Sequence, residues 1–128
     1  MFANAQFGGM DLGFPDVCKT PVPPIPYPNT AAGPTTVPVA FNVLAGGGPW
    51  HNIMSARPMS GGDIAGVGMG VASQTVAARQ QHVTGAFTTI IRGSPSTRVS
   101  SLGPSNLINC PISCRIVPSQ ITVMVLAP

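Results

Sequence analysis

The sequence predicts an all-β domain, built from repeated β-hairpins that close on a pseudo-threefold axis, and three observations predict it. The stretch A-F-N-V-L-A-G-G-G-P-W-H-N-I-M-S, Ala40 to Ser55, returns 46 residues on as A-F-T-T-I-I-R-G-S-P-S-T-R-V-S-S, Ala86 to Ser101. Fifteen Gly and fifteen Pro punctuate apolar runs instead of forming a tract, so turns are many. Helix formers are sparse: only Val71 to Val83 could sustain a helical turn or two, and Ser73, Thr75 and Val76 argue against even that. An ordinary β-sandwich, in which any two hairpins look alike, is the competing architecture.

Taken in order, residues 1–20 are an apolar, Gly-rich lead ending in F-P-D-V-C-K-T. Residues 21–38 are a Pro-rich connection, whose prolines favour extended polyproline-like backbone over helix. A ligand for a proline-binding module is the alternative there, but the segment flows directly into a strand. The first hairpin reads as strand Val39–Ala45, turn Gly46-Gly47-Gly48-Pro49 and return strand Trp50–Ser55. The Gly-rich stretch 61–70 reads as tight turns, because the third Gly of Gly66-Val67-Gly68-Met69-Gly70 comes one residue too early for a dinucleotide fingerprint. Asp63 caps or bonds to one of those turns.

The second hairpin reads as strand Phe87–Ile91, turn Arg92-Gly93-Ser94-Pro95 and return Ser96–Ser101, with Gly47 matching Gly93 and Pro49 matching Pro95. A third copy begins at I-T-V-M-V-L-A-P, residues 121–128, aligned through Val125-Leu126-Ala127 on Val43-Leu44-Ala45, and stops at the turn. The reading is one domain, 1–128, with modules at about 21–66, 67–108 and 109–128, each unable to bury its apolar face alone.

Composition excludes several functions. The chain holds Lys19, Arg57, Arg79, Arg92, Arg98 and Arg115 against Asp11, Asp16 and Asp63, with no Glu. So little charge implies a surface that spends its working life against a partner. A net charge of +3 with no basic run and few aromatics gives no platform for nucleic acid. Three carboxylates and two histidines leave no evident acid–base pair, and no G-x-S-x-G elbow or phosphate loop is present, so the chain does not read as an enzyme. A small metal-dependent hydrolase is the alternative from that class. No apolar run reaches the roughly 18 residues of a membrane span, and the N-terminus lacks the basic start and apolar core of a signal peptide. Synthesis and residence in the cytoplasm are therefore expected. Three cysteines, an odd number without an export signal, point to metal ligation or buried thiols, not a disulfide framework.

Beyond the repeated G-x-P hairpins, several motifs fall in a consistent order: M-F-A-N-A-Q-F-G-G-M-D-L-G-F-P-D-V-C-K-T-P, P-I-P-Y-P-N, G-G-D at 61–63, G-V-A-S at 70–73, H-V-T-G-A-F at 82–87, N-C-P at 109–111 and V-P-S-Q at 117–120. Across essentially the whole chain this order resembles the PAAR-like branch of the PAAR-repeat proteins that tip contractile injection machines. The resemblance implies a short cone of β-hairpins seated on the blunt end of a trimeric VgrG-type spike, as in type VI secretion. Such a tip sharpens the spike and carries or docks an effector toxin. It would be exported at the apparatus tip without a signal peptide, puncturing a membrane transiently without stable insertion. The chain reads as a stand-alone tip with no fused toxin, and a free-standing effector-carrier domain is the neighbouring reading. Hairpin edges would meet the spike, with Trp50, Gly47, Pro49, Gly93 and Pro95 as contacts and Trp50 as the anchor.

The wider family holds one zinc near the tip with His and Cys, stapling a cone too thin for a large core. The candidates in this chain are Cys18, His51, His82, Cys110 and Cys114. Cys18 precedes the first module, His82 the second and Cys110 the third, so a threefold arrangement would bring them together, with His51 as fourth ligand. Cys114 could replace one of the ligands, or form a local metal-binding or disulfide pair with Cys110. Buried thiols and surface histidines are the alternative. Any such metal would be structural.

Overall fold

In the computed structural model, which describes residues 1–19 and 23–126, the strands are β1 (Met10–Lys19), β2 (Pro24–Ala32), β3 (Ala40–Ala45), β4 (Gly48–Trp50), β5 (Ala56–Arg57), β6 (Gln80–Gln81), β7 (Ala86–Ile91), β8 (Ser94–Ser96), β9 (Leu102–Ser105) and β10 (Cys110–Val117). No α-helix occurs among the described residues, and 71–79 form turns and bends. The fold is all-β.

One antiparallel sheet has the order β2-β1-β10-β9. The expected polyproline connection is largely strand β2, pairing Pro24 with Lys19 and Pro26 with Val17. Prolines are tolerated there because β2 is an edge, where a missing N–H breaks no ladder. Pro21 and Val22 of that stretch lie outside the described residues.

The two hairpins are present in matching register: β3 pairs Ala40, Leu44 and Ala45 with Trp50, Pro49 and Gly48, and β7 pairs Ala86, Ile90 and Ile91 with Ser96, Pro95 and Ser94. Their turns are shorter than the sequence suggests. Gly46 and Gly47 have φ of +59° and +86°, and Arg92 and Gly93 have φ of +55° and +80°. Two consecutive left-handed residues make a two-residue turn whose twist suits a hairpin. Pro49 and Pro95, expected in the turns, are strand residues instead.

The C-terminal copy does not stop at its turn, since its return strand is the beginning of the chain. Met124 bridges Phe2, the Val125 N–H donates to the Met1 carbonyl at 2.7 Å, and the Ala3 N–H donates to the Val123 carbonyl at 3.0 Å. Met124 faces Phe2 as Leu44 faces Pro49 and Ile90 faces Pro95. The alignment of Val125 on Val43 is thus two residues out of register, a slip that keeps every side chain on its own face and is invisible to period-2 patterning. Ala127 of that alignment lies outside the described residues.

Beyond each return strand the three segments pair with one another in cyclic order. Ala5 bridges Trp50, Asn52 bridges Ser96, and Arg98 bridges Ala3. Backbone N–H groups donate from His51 to Asn4 at 3.0 Å, from Asn4 to Thr97 at 3.2 Å and from Thr97 to His51 at 3.3 Å. A second set runs from Gln6 to Pro49, from Ile53 to Pro95 and from Val99 to Phe2. Both sets close into rings, which satisfies backbone groups that would otherwise lie unpaired in the interior.

Around the rings packs the apolar core, Ala3, Ala5, Ala40, Ala45, Trp50, Ala86 and Val125. Three segments converging at strand spacing leave room for little beyond alanine, and Trp50 fills the remainder. Its indole N–H donates to Ser96 Oγ at 2.7 Å. The largest fully buried side chains elsewhere are polar, led by Arg57, Arg115, His51 and His82.

Candidate functional site

Two buried polar clusters and one exposed apolar set carry the chemistry. The first cluster centres on Asp11, near the start of β1. Arg115 of β10 donates through Nε to Asp11 Oδ1, Arg57 of β5 lies 3.1 Å from Oδ2, and His82 Nε2 lies 3.5 Å from the same oxygen. Arg57 also reaches Gln80 Oε1 at 3.0 Å and His82 Nδ1 at 3.3 Å. Burial would raise the Asp11 pKa, but the hydrogen bond from His82 and the charges of Arg57 and Arg115 override it and hold the carboxyl well below its usual range. Burial pushes His82 down against the pull of Asp11, and burial with the two guanidinium charges pushes His51 down to about 2. His51 Nε2 is 2.8 Å from Gln6 Oε1. Both histidines are buried and neutral.

The second cluster gathers Asp16 and Cys18 of β1 with Asp63 of the Gly-rich turns, all fully buried and with their ligand-type atoms within 4.8 Å of one another. The turns come this close because glycines line them: a β-carbon on Gly66 would collide with Cβ of Cys18, and one on Gly68 would press on the Lys19 backbone. Cys18 Sγ lies 3.5 Å from Asp16 and 3.9 Å from Asp63. Asn29 and Asn109 donate to Asp16, and Asn106 Nδ2 and the Ala77 N–H donate to Asp63 Oδ2 at 2.7 and 3.1 Å. Burial, then the charges of Asp16 and Asp63, push the Cys18 thiol up to about 12. Cys110, next in sequence to the Asn109 that donates to Asp16, is pushed up to about 11 by burial and then by the charge of Asp16. Such a group could hold a metal ion.

The expected ligand quartet is therefore not assembled. Cys18 and Cys110 lie toward the acidic cluster, whereas His51 and His82 are committed to Gln6 and to the Asp11–Arg57 group. Asp16 and Asp63 stand beside Cys18 in their place, and neither is among the ligand candidates that the sequence offers. All three cysteines are free thiols, so Cys110 and Cys114 form no disulfide. The Asp63 side chain accepts from the Ala77 N–H, beyond the 61–70 turns, and only its backbone carbonyl bonds within them, to the Gly66 N–H.

At the hairpins, Gly47 and Gly93 are exposed and Pro49 and Pro95 half-buried, but Trp50 is 9% exposed and belongs to the core. It is no surface anchor, because its ring fills the space between the converging segments. The outer hairpin faces instead expose Phe41, Phe87 and Ile121, and Leu44, Ile90 and Met124, each between 55% and 73% accessible. These are corresponding positions in the three copies, taken in the observed register. Charge is segregated as well: all three aspartates are buried, and the exposed charged side chains are Lys19, Arg79 and Arg92.

The family model described as the toxin PAAR-like domain matches residues 9–112. The chain belongs to the PAAR-like domain family. No curated protein and no solved structure matches it. The match begins at Gly9, just before the strand that carries Asp11, Asp16 and Cys18, and takes in both hairpins, the acidic cluster and all of the Asp11 cluster except Arg115. A PAAR-like domain has a spike-tip or effector-carrier role, and it is not a known enzyme family.

Proposed function

We propose that this PAAR-like protein is the structural tip of a trimeric VgrG-type spike in a type VI or related contractile injection system. In that role it sharpens the spike and attaches or delivers an effector toxin. One observation carries the reading: three corresponding pairs of large apolar side chains, Phe41 with Leu44, Phe87 with Ile90 and Ile121 with Met124, stand exposed on hairpin copies joined by cyclic hydrogen bonding. Exposed apolar residues that recur at matching positions mark a surface meant to be covered. A single chain offering three such positions suits a homotrimer, whose three identical subunits each need an equivalent contact. On this reading the copies form a pseudo-threefold base, with Gly47, Pro49, Gly93 and Pro95 in the hairpins that bear it.

The chain would be assembled on the spike in the cytoplasm and leave at the apparatus tip without a signal peptide, crossing a membrane transiently and binding no nucleic acid. A structural metal belongs to the reading, and zinc is the ion the resemblance implies. The experiment is to mix the purified chain with its trimeric spike and weigh the complex. One chain per trimer is expected; three chains per trimer, or no complex, overturns the reading.

A further inference from the structure

We infer that the Asp16–Cys18–Asp63 cluster holds the metal, a borderline divalent ion of the zinc type bound by one sulfur and several oxygens, with Asn29 supplying a further donor. The inference rests on the structural-metal part of the reading above and not on the spike.

Charge is the first argument. Asp16 and Asp63 are fully buried, and among the described residues neither forms an ion pair with Lys or Arg. Their partners are amides, a backbone N–H and a thiol. Two carboxylates buried side by side call for a counter-charge. The third buried acid, Asp11, differs in having two arginines set against it.

Orphaned acceptors are the second, independent argument. Asp63 Oδ1 is buried without a hydrogen-bond partner, and so is Oδ1 of Asn29, which is 1% exposed and whose amide abuts Asp16. Asn106 and Asn109 cannot turn to help, because the backbone fixes both amides. Asn106 Oδ1 accepts from the Ala78 N–H while its Nδ2 donates to the Thr75 carbonyl; Asn109 Oδ1 accepts from the Ala72 N–H while its Nδ2 donates to the Val17 carbonyl. Asn29 has no such anchor on its oxygen, and its amide orientation is set only by the network around it. The donors left for a cation are Asp63 Oδ1, an Asp16 oxygen, Cys18 Sγ and Asn29 Oδ1. A thiolate among carboxylates and an amide oxygen favours a zinc-type ion over calcium or magnesium.

The test uses the intact chain, purified without chelator, stripped, and titrated with Zn²⁺ and then Co²⁺. Saturable uptake of about one equivalent is expected, and X-ray absorption at the zinc edge should show a shell with one sulfur. That measurement needs no variant. Asp63→Asn should weaken uptake at least tenfold, and Cys18→Ser should abolish the thiolate-to-cobalt absorption, with Cys114→Ser unchanged in both. No saturable uptake overturns the proposal. A shell of two sulfurs with histidine nitrogen, or uptake abolished by His51→Ala or His82→Ala but retained in Asp63→Asn, overturns it in favour of a Cys/His site and leaves a structural metal standing.

Discussion

Trp50 and Ser96 hold the same place in the two hairpin copies, each paired with the first alanine of its own hairpin, and are joined by a hydrogen bond of 2.7 Å from the indole N–H to the serine oxygen. Corresponding positions thus carry different side chains because only one large ring fits where the segments converge. Ser96→Ala should leave the buried indole N–H without an acceptor and cost about 1–3 kcal/mol, while Trp50→Ala should cost about 3–5 kcal/mol by emptying the core. Urea unfolding of both variants checks the order; an equal, small loss in the two would place the ring outside the core.

Gly93 tests the turn. Its φ of +80° is a backbone region that a β-branched residue resists, yet a β-carbon there would meet nothing within 4 Å. Gly93→Val should therefore cost about 1–2 kcal/mol through the backbone alone, and Gly93→Asn, which tolerates that region, distinctly less. Thermal melts that do not separate the two variants would contradict the two-residue turn.

Gly66 tests the packing of the Gly-rich turns on β1. With Cβ of Cys18 in the way, Gly66→Ala forces the turns off the strand and should destabilise by about 1–3 kcal/mol. Gly61, where a β-carbon would meet nothing within 4 Å, should accept alanine within about 0.5 kcal/mol. The comparison of the two melting curves is the check.

Acid should unfold the protein in steps. His51 and His82 are held neutral in the fold, while an unfolded chain takes up their protons below its value of 6.5. The stability they contribute is whole above that value and is lost as pH falls through it, by up to about 1.4 kcal/mol per pH unit for each histidine. Asp11, also held low, adds the same sign of loss below its ordinary 3.8. Denaturant midpoints should be level between about pH 7 and 8 and fall from about pH 6 downward, and His51→Gln should flatten part of that fall. A profile level down to about pH 5 would mean that both rings protonate in the fold.

The exposed hairpin faces give a prediction about binding. Phe41→Asp with Phe87→Asp should weaken attachment to a trimeric spike by on the order of tenfold or more, as loss of apolar interface anchors does, and leave the melting temperature of the free chain nearly unchanged. Unaltered attachment would move the contact away from these faces.

Much of the architecture was legible because hairpins announce themselves locally: the repeated G-x-P and the alternating apolar residues fixed both copies and their correspondence. The turn lengths were not, since proline reads as punctuation, whereas Pro49 and Pro95 sit inside strands. The partner of the last copy lay at the other end of the chain, where no local pattern points. The acidic cluster is not legible in the same way, because it forms only when the turn carrying Asp63 packs on β1 beside Asp16 and Cys18, some 45 residues away in sequence. A signal was available all the same: in a chain with three carboxylates, an aspartate two residues from a cysteine, with asparagines at 29, 106 and 109, is an unusual concentration of oxygen donors.

The pairing of Met1–Ala3 with Val123–Val125 sets a timetable for synthesis. Residues 1–3 leave the ribosome some 120 residues ahead of these partners. At about 5–20 residues per second that pairing waits many seconds, whereas the two rings, made from residues 2–6, 49–53 and 95–99, can close as soon as Val99 is free. The third hairpin copy is therefore the last to be completed, and a product truncated before Val123 would keep every residue of the rings and lose only the partners of Met1–Ala3.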